Sequence, residues 1–372
     1  MTYQIRRHSY LLPLSEHWDQ LLDQMPASNI NMRAEVLQAW YDSERGRGKP
    51  LLYTAWHERQ LVAALPLICS PGTLLVKSAP NHSGQFTPLV HPAHPRALAA
   101  ILTRLFSGPT VTADLTMMPG DDSAVRALES VTCEVGCAMR QIVTHNSGYV
   151  RTDVADFETY YQGLSAKMRK NLRRDERWLS AQGDLKLVRF TGTEPEFPRI
   201  YQQVLECEAK GWKGQAGTAT LNKPRAQVLV NGLLRYAIST GNLELYVLWV
   251  GERLASFRLG VRHGRTWCSF TTSYDPDLAR GAPGAVIAIK TLKIFIEDPT
   301  IDQVDTRGVL EDHKARFRPE VRPILRMLLY RPGIAGELTK RAHQDVVPRL
   351  RRGVRSAYQG LRQALGSAEN AS

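Results

Sequence analysis

No stretch of this chain is apolar enough to span a bilayer as a helix. The first thirty residues carry polar or charged groups every few positions and lack the central apolar run of a secretory leader, so export is not expected. Cysteine is scarce: Cys69, Cys133, Cys137, Cys207 and Cys268 are scattered and odd in number, which excludes a disulfide framework. Cys133 and Cys137 lie four apart, but no second pair completes a zinc set. All five are expected to be buried thiols in a reducing cytoplasm, with no metal site. The chain contains no GxSxG, Walker, HExxH or GxGxxG pattern, so hydrolase, nucleotidase and dinucleotide-binding readings have no support.

Positive charge is abundant. Lys and Arg number 48 against 36 Asp and Glu, a formal net charge of +12 over 372 residues. Such a surface favours anionic partners without choosing among them. The composition, 43% hydrophobic and 23% charged, is that of a globular chain with ample core.

An internal repeat organises the sequence. The segment from Leu52 to Leu61 aligns without a gap on the segment from Leu245 to Leu254, matching at Leu52/Leu245, Tyr53/Tyr246, Trp56/Trp249 and Leu61/Leu254. Both copies read as strand, tight turn, strand. Two tandem modules of one α/β fold with a mixed sheet are therefore expected, residues 1–150 and 151–332. The first is expected to be degenerate: its loop from Ser78 to Gln85 is polar, but no helix follows directly, which suits packing or one wall of a cleft. The second begins with one long helix over 157–182 stopped by Gly183. A β meander follows over 243–274, then a helix over 284–297, a short strand over 302–306 and a strand over 324–330. The tail, 333–372, is basic and helical in spacing. It reads as a helix packed on the body or as one lying on an acidic membrane surface.

Three constellations carry chemistry. Lys167, Arg169, Lys170, Arg173 and Arg174 put five cations into eight helical positions, a repulsion that a bound anion would relieve. The loop after Tyr274 carries Arg280 and leads to Pro283, Gly284 and Ala285 at a helix start, where the first amides have no internal partner and can face a phosphate-bearing donor. Asp305 ends the next strand, with His313 and Lys314 shortly after. Asp305 or His313 can take a proton from an attacking amine or hydroxyl, and Lys314 can stabilise developing negative charge. Each also has a plain reading: a solvated amphipathic helix, an ordinary loop-to-helix junction, a turn-capping carboxylate and an exposed loop histidine.

Taken together, the stretch from Leu164 to Arg174, the strand at Tyr246 with Gly251, Leu254 and Ala255, the run from Ser273 to Pro276, Pro283-Gly284, and Asp305 to Gly308 followed by His313 to Phe317 resemble the CelD-like, cellulose-biosynthesis-associated GNAT acyltransferases. These are distant relatives of the Fem peptidoglycan aminoacyltransferases. The resemblance covers about residues 155 to 320. It implies two tandem GNAT folds and acyl transfer from acyl-CoA as cosubstrate, with no permanently bound cofactor. The donor's pyrophosphate would lie at Arg280 to Ala285, and Lys314 would stand where Fem relatives carry the Lys of a Phe-Lys pair. Lys167, Arg169, Lys170, Arg173 and Tyr274 would line the substrate path. The implied acceptor is an amine or hydroxyl of an anionic sugar, lipid or cell-envelope precursor. The implied location is cytoplasmic, with peripheral contact at the inner membrane face through the tail. Two alternatives stand beside it: Fem-type transfer from aminoacyl-tRNA, against which the lack of a heptad run counts, and a nonenzymatic membrane- or nucleic-acid-binding accessory protein.

Overall fold

The computed structural model describes residues 2–26, 29–70, 72–81 and 84–346. Its strands are β1 (Gln4–His8), β2 (Lys49–His57), β3 (Gln60–Cys69), β4 (Leu75–Ser78), β5 (Leu89–Val90), β6 (Thr112–Pro119), β7 (Ala138–Arg151), β8 (Leu185–Phe190), β9 (Leu243–Val250), β10 (Arg253–His263), β11 (Thr266–Tyr274), β12 (Gln303–Asp305) and β13 (Glu320–Tyr330). The helices are α1 (Ser15–Asp23), α2 (Ala34–Ser43), α3 (Ala97–Phe106), α4 (Ser123–Glu134), α5 (Phe157–Gly163), α6 (Ala166–Ser180), α7 (Phe197–Lys210), α8 (Trp212–Gln215), α9 (Pro224–Ser239), α10 (Pro283–Glu297), α11 (Asp312–Ala315) and α12 (Ile334–Arg341). All strands join one mixed sheet in the order β1-β2-β3-β4-β6-β13-β7-β12-β11-β10-β9-β8, with β5 beside β3.

The repeat seen in sequence is a repeat of geometry. In the hairpin β2–β3, Trp56 pairs with Leu61, and the register shifts past Val62. In β9–β10, Trp249 pairs with Leu254, and the register shifts past Ala255. The matched Trp and Leu are thus cross-strand partners in both copies, and both bulges fall at the same repeat position. Glu58 (φ 56°) and Gly251 (φ 58°) hold equivalent left-handed turn positions. The agreement extends further: β4 pairs in parallel with β6 across α3, as β11 pairs in parallel with β12 across α10.

The two halves then exchange their last strands. β13 enters between β6 and β7, and β7 pairs with β12. Leu325, Met327 and Leu329 of β13 are buried in the core of the first half. Position 150 falls near the end of β7, and 332 follows β13. A second contact between the halves is the packing of α9 on α2. Gly232 lies so close to α2 that an added Cβ would stand 2.2 Å from the Ala39 Cβ, and Arg225 pairs with Glu44 beside it.

Two expectations need correction and a third falls outside the described residues. The helix expected over 157–182 is two helices, broken at Leu164, where the backbone is extended. Ser165 caps the second helix by accepting from the Met168 amide. Carbonyls at the end of the first are taken up by Arg169, which donates to Gln162 and Leu164, and by Arg318, which donates to Gly163. Cys133 is exposed and Cys69 half-buried, because each lies near the end of its element where the core no longer covers it. The basic helix expected in the tail lies, from residue 347 on, outside the described residues.

An alanine in place of an exposed helix glycine gains about 1 kcal/mol. At Gly232 the methyl would meet Ala39, so Gly232→Ala is expected to lose about 1–3 kcal/mol, read as a lower urea midpoint. A gain in stability would show that α2 and α9 do not pack this closely.

Candidate active site

β11 and β12 are paired only from Thr266 to Cys268 and from Gln303 to Asp305. Beyond that point they part. β11 continues to Tyr274 with β10 on one side and no strand on the other. A bulge at Phe270, between Leu259 and Gly260 of β10, changes the alternation. Ser269 and Thr272 consequently reach the same face of the sheet. On that face the parted strands, the first turns of α10 and the segment around α11 enclose a cavity of about 130 Å3. Its wall includes Gly284, Ala285, His313 and Lys314, and it includes Arg258, which the sequence analysis did not single out.

The N-terminus of α10 is built as the sequence suggests, with fewer free donors. Pro283 is the first helical residue and brings no N–H. The amides of Ala285 and Val286 turn back to the Ala282 carbonyl at 2.8 and 3.2 Å. Among the described residues this leaves the Gly284 N–H as the first-turn amide without a backbone acceptor, one donor rather than a set. Ala282 itself is left-handed (φ 41°, ψ 54°), a strained non-glycine conformation at the helix start. Tyr274 flanks Gly284, 3.6 Å from where a Cβ would be. Arg280 is exposed and lies over the Trp178 ring at 5.6 Å. Together with Arg174 and Asp175 it lines a second hollow beside the loop.

The basic helix α6 runs alongside. Leu164, Met168 and Leu172 pack on Ile289 of α10, with Ala285 against the same cluster. Lys167, Lys170 and Arg173 are exposed, and their side chains have no ion-pair partner among the described residues. Arg169 does not belong with them: its guanidinium holds the carbonyls at the end of α5.

Asp305 is not on the cavity wall. Strand alternation puts Val304 and Thr306 there and sends Asp305 to the opposite face. It is buried, accepts from the Arg307 amide at 2.8 Å and from Gln85 at 3.3 Å, and lies 3.5 Å from Arg322. Arg307, left-handed at φ 50°, reaches across to Asn31 at 2.7 Å. The polar loop of the first half thus packs against this turn through Gln85, on the face away from the cavity. Lys314 holds the same turn from the other side, donating from Nζ to the carbonyls of Arg307 at 2.7 Å and Val309 at 3.0 Å. Its pKa is lowered by burial. His313 is exposed, with Nδ1 3.2 Å from Glu311. Desolvation lowers its pKa below 6.5, against the opposing pull of Glu311. The Glu311 contact favours a proton on Nδ1 and leaves Nε2 as the free base.

Arg258 is the feature hidden from sequence. It lies in the middle of β10, is 7% exposed and has no carboxylate partner among the described residues. Its guanidinium donates to Thr291 and lies 4.7 Å from the Trp267 ring. Burial lowers its pKa to about 10. In sequence Arg258 is one of three arginines in β10; only the packing of α10 over it shows that this charge is inside. Among the described residues no group of three or more His, Cys, Asp or Glu side chains is arranged to hold a metal ion.

With this geometry established, the comparisons with known proteins fall into place. Residues 166–315 match the family model described as an acetyltransferase (GNAT) domain. The chain carries a GNAT acetyltransferase-like domain within a mixed α/β, GNAT-type fold. Among solved structures, FemX superposes with a TM-score of 0.61 at 8% identity, covering 90% of this chain and 99% of that one. L-PGS from Bacillus licheniformis gives 0.54 at 10% identity, covering 87% and 94%. A tandem GNAT protein from the clavulanic acid biosynthesis pathway gives 0.50 at 12%, covering 88% and 98%. At these identities the likeness is one of fold. No curated protein matches the chain in sequence.

Lys314 secures the turn that carries α11 to the cavity. Lys314→Met leaves two carbonyls without their charged donor and is expected to cost about 1–3 kcal/mol, seen as a lower melting temperature. An unchanged melting temperature would show that the turn holds without it.

Proposed function

We propose that the protein is an acyltransferase that moves an acyl group from acyl-CoA to an amine or hydroxyl of a sugar, lipid or cell-envelope precursor. The observation that carries this reading is the cavity between the parted strands β11 and β12, roofed by the first turns of α10. A thioester entering there has its phosphates near the Gly284 N–H, Arg280 and Arg174, and its reactive carbon near His313 and Lys314. The residues fit such a donor: an amide at a helix start, Arg280 on the loop with Arg174 of α6 beside it, paired to Asp175, and an apolar chamber for the acyl group. The CelD-like resemblance, the division at 150 and 332 and a location at the inner membrane face belong to the same reading, with the exposed cations of α6 facing an anionic acceptor.

The chemistry asks little of the protein beyond positioning. His313 Nε2 takes the proton of the attacking amine or hydroxyl, its tautomer set by Glu311, and returns it to the coenzyme A thiolate as the C–S bond breaks. The third hydrogen of Lys314 Nζ, not used by the turn, stabilises the oxyanion formed on the thioester carbonyl. Asp305 does not act on substrate; it is a positioning residue for the turn at Arg307.

Titration with acetyl-CoA and longer acyl-CoAs is expected to raise the melting temperature, and Arg280→Ala is expected to weaken binding about tenfold, the loss of one phosphate contact. If none of these thioesters binds, the reading fails. Once an acceptor is in hand, His313→Ala is expected to slow transfer by about 10²–10⁴-fold. The wild-type rate should be flat above pH 7 and fall as pH drops through a value below 6.5, since the neutral imidazole is the active form. A rate independent of pH between 5 and 7 would remove His313 from the role.

A further inference from the structure

Arg258 has no task in the mechanism above, and its position is hard to explain as architecture. It is more than nine-tenths buried, yet the other members of the cavity wall include no aspartate or glutamate. Its neighbours of opposite polarity are hydroxyls: Thr291 accepts from it, and Thr272 faces it across β11. Beneath it lie the rings of Trp267 and Phe295, at 4.7 and 6.0 Å. Aromatic faces soften the burial of a cation but do not neutralise it. A buried charge without a counter-charge is among the costliest arrangements in a folded protein. Here it lines a cavity.

We infer that Arg258 is the receptor for a carboxylate on the transferred acyl group or on the acceptor, so that the enzyme selects a substrate carrying that anion beside the reacting carbon. This rests on the acyltransferase reading for its two candidate carriers, but the carboxylate site itself does not. Three features choose a carboxylate over other anions. The guanidinium fork matches the planar carboxylate in a bidentate pair. The chamber is small, about 130 Å3, with Ala288, Leu292 and Val304 among its lining, which suits a short apolar stem rather than a large headgroup. Arg258 supplies one buried positive charge, which a monoanion matches, whereas the Lys314 ammonium is bonded to two carbonyls and its remaining hydrogen is assigned to the oxyanion. A phosphate monoester, at close to two negative charges, would leave charge unmatched at Arg258.

Isothermal titration of the full chain distinguishes the carriers. Malonyl-CoA is compared with isovaleryl-CoA, which replaces the carboxylate by two methyl groups of similar shape. Glycine is compared with glycinamide, with and without CoA. Inorganic phosphate is a third arm. In one of the two pairs the carboxylate member is expected to bind at least tenfold more tightly than its neutral partner, and that pair identifies the carrier. Arg258→Met is expected to abolish the difference while melting no lower than the wild type without ligand, because it removes an unpaired buried charge. Arg258→Lys is expected to retain part of the preference. No preference in either wild-type pair would overturn the inference whatever the variants do, as would tighter binding of phosphate or a preference that survives Arg258→Met. Failure of every CoA thioester to bind would remove the acyltransferase reading, while the glycine arm still decides whether Arg258 receives a carboxylate.

Discussion

The structure depends on a single failure of strand pairing. β11 and β12 share three residue pairs and then separate, which leaves the outer edge of β11 from Ser269 onward without a strand beside it. Unpaired strand edges inside a sheet are costly unless something fills the gap. In the second half the gap is bordered by α10 and the α11 segment, and a chamber remains. The equivalent gap in the first half, beside β4 and β6, is closed: the Phe86 amide donates to the Met117 carbonyl at 2.9 Å, and its ring is fully buried. The same fold is thus used twice, once with an opening and once without.

The closed half is not idle. By exchanging last strands the two copies become one sheet, and the first half supplies partners to the turn on which the site is hung. Asn31 and Gln85 reach Arg307 and Asp305 from the first half. Arg322 of β13 lies between Asp305 and Asp121. These are partly buried, charge-assisted contacts that tie the turn to the first half. The turn from Asp305 to Val309 is therefore fixed from two directions, by the first half through Asp305 and Arg307 and by Lys314 from the cavity side.

Charge in the second half is layered. Exposed lysines and arginines of α6, with Arg280 on the loop before α10, lie outside, and Arg258 is buried inside. The buried Arg258 is less hydrated than the exposed cations, so it interacts more strongly with an anion of given charge. Such a gradient favours an elongated, multiply charged ligand that enters with its small reactive end first.

Much of this was legible in the sequence. The ten-residue repeat announced two copies, because a hairpin's cross-strand Trp–Leu pair and its left-handed turn are local and leave the same mark twice. The helix starting at Pro283 and the strand ending at Asp305 were readable for the same reason: proline, periodicity and turn residues act over a few positions. What sequence could not decide was direction and environment. Asp305 faces away from the cavity, since alternation along a strand is fixed only once its neighbours set the register. Arg169 holds a helix end and not a ligand, because a break at Leu164 placed carbonyls within its reach. Arg258, one cation among 48 basic residues, became significant only when α10 packed over β10 and removed it from water. Local propensity was settled by the chain itself; the exchange of β7 and β13, the closing of one gap and the burial of one charge were settled by contacts between residues far apart in sequence, where only three-dimensional packing determines which groups lose their solvent.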